Sequence, residues 1–125
     1  MSAPTPIRLH HLALTVTDLD ASVRWYESVF NVQFVMDAPH NGGVGKILAD
    51  PGRHLMFALH RHDTNDGQLF AETITGLDHA GFNLPGRGDL QMWQDHLEVN
   101  LPDPFSGHRD LRVWHVHGPP KPVLK

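Results

Sequence analysis

The 125-residue chain contains no cysteine, which removes disulfides, thiolate metal sites and cysteine nucleophiles together. It is also short of positive charge, with 10 Lys and Arg against 14 Asp and Glu and a net charge of −4. Affinity for nucleic acid rests on clustered cations, so the charge balance argues against nucleic acid as a partner. No apolar run approaches the roughly 20 residues that span a bilayer, and no membrane partner is expected. The opening Met-Ser-Ala-Pro-Thr-Pro has neither the basic nor the apolar region of a signal peptide, so the expected address is cytoplasmic. What remains, at 40% hydrophobic and 19% charged residues, has the balance of a globular fold. The length suits a single domain over residues 1–125. Histidine is the excess: there are 11, more than all Lys and Arg together.

Hydrophobic periodicity organises the first half. From Leu9 to Val16, Leu12, Leu14 and Val16 point one way and His11, Ala13 and Thr15 the other, the period-2 signature of a strand. Asp18 is a candidate N-cap for a helix whose apolar stripe runs through Leu19, Val23, Tyr26 and Phe30. Asn31 closes that helix, and Val32 to Met36 is a short β-rich run. The turn Asn41-Gly42-Gly43 leads to a strand near Val44 to Leu48, and Asp50-Pro51-Gly52 leads to another from His54 to His62. The reading is β-α-β-β-β over about residues 7–63.

The theme then returns. After a polar stretch from Thr64 to Thr75, Leu77 to Leu84 alternates again, and Leu90, Trp93 and Leu97 form a second helical stripe. His79 follows His11 by 68 positions, and the second stripe follows Val23, Tyr26 and Phe30 by 67. That near-constant offset across a whole β-α unit reads as an internal duplication, with a second module from about 76 to the end. The composition shifts near residue 99. Five of the ten prolines fall after residue 101, a poor source of central strands. Only Leu111 to His117 reads as a strand there.

The segment HHLALTVTDLDASVRWYESVF, with His11, Val16, Asp18, Trp25 and Tyr26, resembles the opening β-α unit of the vicinal oxygen chelate superfamily. That superfamily groups glyoxalase I, bleomycin-resistance proteins, extradiol dioxygenases and fosfomycin-resistance enzymes. GLDHAGFNLPGRGDLQMWQDHL resembles the opening of its second module, so the likeness covers about residues 7–98. The resemblance implies an α+β fold of tandem βαβββ modules around a cleft, here with the second module incomplete or divergent, and a homodimer. It also implies a divalent ion (Zn, Ni, Fe or Mn) on inward-facing strand positions. His11 and His79 match the strand-one positions of the two modules. Alternation in HLMFALHRH puts His54, Met56, Ala58, His60 and His62 on one face, and His60 is preferred to His62 as the last-strand ligand because the strand is less frayed there.

In the family the second module ends in an aspartate-proline turn and a strand carrying a ligand Glu. Here no Glu follows Glu98. Two readings stand: His115 or His117 replaces the carboxylate, or the tail is not native family sequence. Imidazoles converging from different strands suit such an ion with open coordination positions, and the bound ion acts as a Lewis acid on a chelating substrate. The chemistry needs a base, and Glu72 is the nearby acidic candidate. His10, His40, His54, His96 and His108 are read as surface or hydrogen-bonded residues, and the helical stripes as core. Two functional expectations follow. One is a metal-dependent glyoxalase or dioxygenase-type enzyme on a small oxygenated substrate, with His11, His60 and His79 as ligands. The other is a metal-free small-molecule binding protein of the bleomycin-resistance type, or an inactive truncated relative.

Overall fold

The Asp18 side chain accepts the backbone N–H of Ala21 at 3.0 Å, satisfying one of the donors a helix leaves open at its start. The helix so begun, α1 (Leu19–Phe30), ends where Asn31 turns left-handed at φ 55°, ψ 37°, a conformation asparagine tolerates better than most residues. In this computed structural model, which describes residues 3–68, 70–86 and 88–100 and the backbone of 117–118 and 121–122, α1 follows β1 (Leu12–Thr15) and precedes β2 (Gln33–Asp37), β3 (Gly43–Ala49) and β4 (Met56–His62). The β-α-β-β-β order read from periodicity is therefore the observed one. Strand ends moved by a few residues: β1 is shorter than the alternating run, and β4 starts after His54.

The four strands form one sheet in the order β1-β4-β3-β2, with β1 parallel to β4 and the other pairs antiparallel. Two turns set the register. Between β2 and β3, His40 and Gly43 exchange backbone hydrogen bonds at 3.2 Å around Asn41-Gly42, with Gly42 at φ 93°. Between β3 and β4, Arg53 N–H donates to the Asp50 carbonyl at 3.0 Å, with Pro51 in the second position, where its fixed φ suits the turn. A bulge falls between Phe34 and Met36, leaving Val35 as the extra residue on the edge strand.

One face of this sheet carries α1. Tyr26 and Phe30 pack on Phe57 at ring-centroid distances of 5.1 and 4.9 Å, and Leu14, Val16, Leu48, Phe57 and Leu59 are buried with them. The helix buries Leu19, Ala21, Ser22, Trp25, Tyr26 and Val29. That is a correction to the stripe read from sequence: Val23 and Phe30 are only half-buried, and Trp25, at 2% exposure, occupies the centre. The predicted stripe had the right period but was rotated by about one residue. Alternation sends Ala13, Thr15, Met56, Ala58, His60 and His62 to the opposite, helix-free face, as the strand patterns require.

The chain divides after Asn65 into two compact units. In the second, α2 (Gly88–Asn100) forms where the Leu90, Trp93, Leu97 stripe predicts it, with Leu90 and Leu97 buried. Its start is held by reciprocal bonds: Gly86 N–H donates to the Asp89 carboxylate at 3.0 Å and Asp89 N–H to the Gly86 carbonyl at 3.2 Å. The strand expected over Leu77 to Leu84 is not formed; this segment has no regular structure and is largely exposed. Alternation only prepares a strand, and a ladder partner must supply its hydrogen bonds. The partners that the repeat would provide fall in the tail. There, β5 (His117–Gly118) and β6 (Lys121–Pro122) pair antiparallel. The strand expected over Leu111 to His117 and the candidate ligand His115 lie outside the described residues, as does His108; of His117 only the backbone is described.

Candidate functional site

The helix-free face of the first unit gathers its histidines around two glycines. Register places Gly43 opposite His62 and Gly45 opposite His60, and His40 faces Gly43 from the other side through the turn. Without a Cβ at either glycine, the imidazoles lean over β3. A Cβ at Gly43 would meet His40 Cε1 at 2.7 Å, and one at Gly45 would meet His60 Nδ1 at 2.5 Å. The rings consequently cluster. Centroid distances are 4.9 Å for His40 to His60, 5.0 Å for His40 to His62, and 6.3 Å for His60 to His62.

Two ring nitrogens in this cluster, His40 Nε2 and His60 Nδ1, are buried and have no hydrogen-bond partner in the protein. Such groups are rare because desolvation without a partner costs roughly 1–3 kcal/mol. The other nitrogen of His40 lies 3.3 Å from the Asn41 carbonyl oxygen. A carbonyl only accepts, so Nδ1 carries the proton and a neutral His40 presents its lone pair on Nε2. Burial, and after it the neighbouring imidazoles of His40, His62 and His11, hold the His60 ring below the ordinary histidine pKa. At neutral pH it therefore keeps a free lone pair.

The remaining predicted residues sit differently. His11 immediately precedes β1, and its Nδ1 lies 2.9 Å from Nδ1 of His10, the two rings edge to face at 5.1 Å. By register His60 stands opposite Thr15, four residues along from His11. His11 lies outside that paired stretch, yet its imidazole is among those that act on the His60 ring. In the second unit His79 is exposed and its Nδ1 contacts the Asp78 carboxylate at 2.8 Å. A carboxylate on one ring nitrogen orients the other outward, the arrangement that commonly backs a metal-bound histidine. Glu72 is exposed in a turn of the same unit. Among the described residues no group of three or more His, Asp or Glu side chains is placed to hold a metal ion by itself. What does fit a divalent ion is a part of such a donor set, the unpartnered nitrogens of His40 and His60.

Sequence reading treated His40 as a surface or hydrogen-bonded residue and did not place it beside His60. Its signal was present in Asn41-Gly42-Gly43-Val44-Gly45: two glycines at alternate positions of one strand leave a bare track on one face. An open hollow of about 530 Å³ lies elsewhere, on the helix-bearing side near the start of α1, bounded by charged Asp18, Asp20, Asp37, Lys46 and Arg61. It includes none of the predicted ligands. Its cations are engaged, Lys46 with Asp37 at 2.7 Å and Arg61 Nε with the Thr17 carbonyl at 3.2 Å.

A parallel β1–β4 pair closing a βαβββ unit, with histidines on the sheet face away from the helix, defines a class of fold. The chain belongs to the Glyoxalase/Bleomycin resistance protein/Dioxygenase superfamily, whose family model matches residues 8–100. Among solved structures it is similar to a glyoxylase/bleomycin resistance protein/dioxygenase domain from Frankia sp. EAN1pec, at 30% identity and TM-score 0.69, over 76% of this chain and 70% of that one. The fold is shared with the fosfomycin resistance protein FosX of Listeria monocytogenes. A mutant FosX complexed with Mn(II) and 1S,2S-dihydroxypropylphosphonic acid matches at 15% identity and TM-score 0.54, over 76% and 70% of the two chains. FosX with Mn(II) and sulfate matches at 14% identity and TM-score 0.52, over 76% and 72%. No curated protein sequence matches the chain. Among the described residues no helix is long and apolar enough to cross a membrane.

Proposed function

We propose that the chain is a small metal-dependent enzyme of the glyoxalase type, using His11, His60 and His79 toward a divalent ion and acting on a small oxygenated substrate. The observation that carries this reading is the buried, unpartnered Nδ1 of His60 on the helix-free sheet face, in a chain of this superfamily. The Asp78–His79 contact adds to it, since it frees the outer nitrogen of His79 for an ion. When bound, Zn, Ni, Fe or Mn supplies Lewis acidity to adjacent substrate oxygens; the FosX complex pairs Mn(II) with a dihydroxy phosphonic acid. Glu72 is the proposed base. It stands exposed in a turn of the second unit, accessible to a substrate proton. A cytoplasmic homodimer is part of the same reading, supported by β2, exposed along its whole length at the sheet edge.

Loading the stripped protein with each of the four ions, followed by metal analysis, tests the proposal. One bound ion per chain is expected, reduced in His60→Ala and His79→Ala. A wild type that retains no ion would end this reading. The absence of any Glu after Glu98 favours a second one, a metal-free binding protein for a small molecule. It predicts ligand binding that a chelator leaves unchanged.

A further inference from the structure

We propose that His40 and His60 form a two-imidazole site for a divalent transition-metal ion on the helix-free face of the first unit. The donors come from separate elements, the β2–β3 turn and β4. They are brought together by the bare track of Gly43 and Gly45, which lets both rings lie over β3 where any side chain would collide with them. Each ring has one buried nitrogen with no protein partner, His40 Nε2 beside Gly43 and His60 Nδ1 beside Gly45. On His40 the Asn41 carbonyl fixes the proton on Nδ1, leaving Nε2 as the donor. With centroids 4.9 Å apart and rings inclined at 66°, the two imidazoles are close enough to share one ion after small side-chain rotations. His62, 5.0 Å from His40, stands exposed at the rim. Two neutral nitrogens suit the borderline ions Zn, Ni, Co and Cu and leave further coordination positions for water or substrate oxygens.

The inference deepens the metal-dependent reading and shares His60 with it, but it assigns the second donor to His40 in place of His11 or His79. Titration calorimetry of the metal-stripped full chain with Zn(II), and with Ni(II) as a second probe, separates the two. Wild type, His40→Ala, His40→Gln, His60→Ala, His11→Ala and His79→Ala are compared, each checked for an unchanged circular dichroism spectrum. His40→Ala, His40→Gln and His60→Ala are expected to weaken binding at least about tenfold, while His11→Ala and His79→Ala read the ligand set proposed above. In the wild type, the electron paramagnetic resonance spectrum of bound Cu(II) should show two coupled nitrogens, and in His40→Ala one. Zn(II) binding unaltered in both His40 variants, or a single coupled nitrogen in the wild type, overturns the inference. If in addition His11→Ala and His79→Ala weaken binding, the ligand set proposed above stands without it. Loss confined to His40 and His60 variants supports the inference and removes that ligand set.

Discussion

Nδ1 of His60 stands 2.5 Å from the point that a Cβ on Gly45 would occupy, and the Ala38 carbonyl oxygen stands 2.9 Å from the same point. An added methyl must displace both a ring and a backbone. Gly45→Ala should therefore cost about 1–3 kcal/mol, in the range of overpacking elsewhere, read as a lowered urea midpoint. The double variant Gly45→Ala/His60→Ala should recover part of the loss, because the ring is gone, but not all of it, because the carbonyl remains. Strict additivity of the two substitutions would show that the ring and the glycine do not share that space.

Trp25 is 2% exposed and stands edge to face with Tyr26 at 5.0 Å and with Phe30 at 6.3 Å. Trp25→Ala should cost about 3–5 kcal/mol, as large-to-small core changes do. Val23 sits at the half-buried margin of the helix, and Val23→Ala should cost about 1 kcal/mol, its partial transfer term. Chemical denaturation of both variants distinguishes the observed helix face from the one read by periodicity. Equal losses would restore the predicted stripe.

That rotation shows what periodicity resolves. Spacings of three and four locate an apolar face to within a residue or so, and Tyr26 belongs to both the predicted and the observed face. Trp25 was overlooked because two adjacent aromatics can each serve a stripe of the same period, and here both are buried. The strands of the first unit were legible because they alternate, β1 running into the Asp18 cap and β3 lying between turns that carry Gly or Pro. Leu77 to Leu84 alternates equally well and forms no strand. Its pattern says which face would be buried, and says nothing of the neighbour that must pair with it.

Asp18 caps α1 through a 3.0 Å bond from Ala21 N–H. Asp18→Ala leaves that donor without its side-chain partner and should cost about 1 kcal/mol, while Asp18→Asn should stay within a few tenths of wild type. Thermal unfolding of the two variants reads the difference. A large loss in Asp18→Asn would mean that the charge, not the cap, is what the residue supplies.

The candidate site was half legible. His60 was placed on the correct face by alternation alone, since its neighbours Phe57 and Leu59 had to turn inward. His40 was not, because its position depends on a two-residue turn and on the absence of side chains at Gly43 and Gly45. An absence of side chains leaves no hydrophobic pattern to read. The partnering of His79 with Asp78 was available as sequence adjacency, yet adjacent residues on a strand point to opposite faces. Their contact is possible because Leu77 to Leu84 is not a strand.

Asp50 gives the first unit a pH dependence of known sign. Its Oδ1 accepts Leu55 N–H at 2.8 Å, and its Oδ2 lies 3.5 Å from His54 Nδ1. The bond from Leu55, opposed by desolvation and aided by His54, holds the carboxyl below the ordinary aspartate value. Unfolded, the same group titrates near pH ~3.9. The folded state thus resists protonation, and the stability Asp50 contributes is complete above that value and lost as pH falls through the lower, folded one. In Asp50→Asn this component is absent at every pH. Urea midpoints measured from pH 6 downward should therefore fall more steeply below about pH 4 for the wild type than for the variant. Parallel curves would mean that the turn between β3 and β4 gains nothing from the ionised carboxylate.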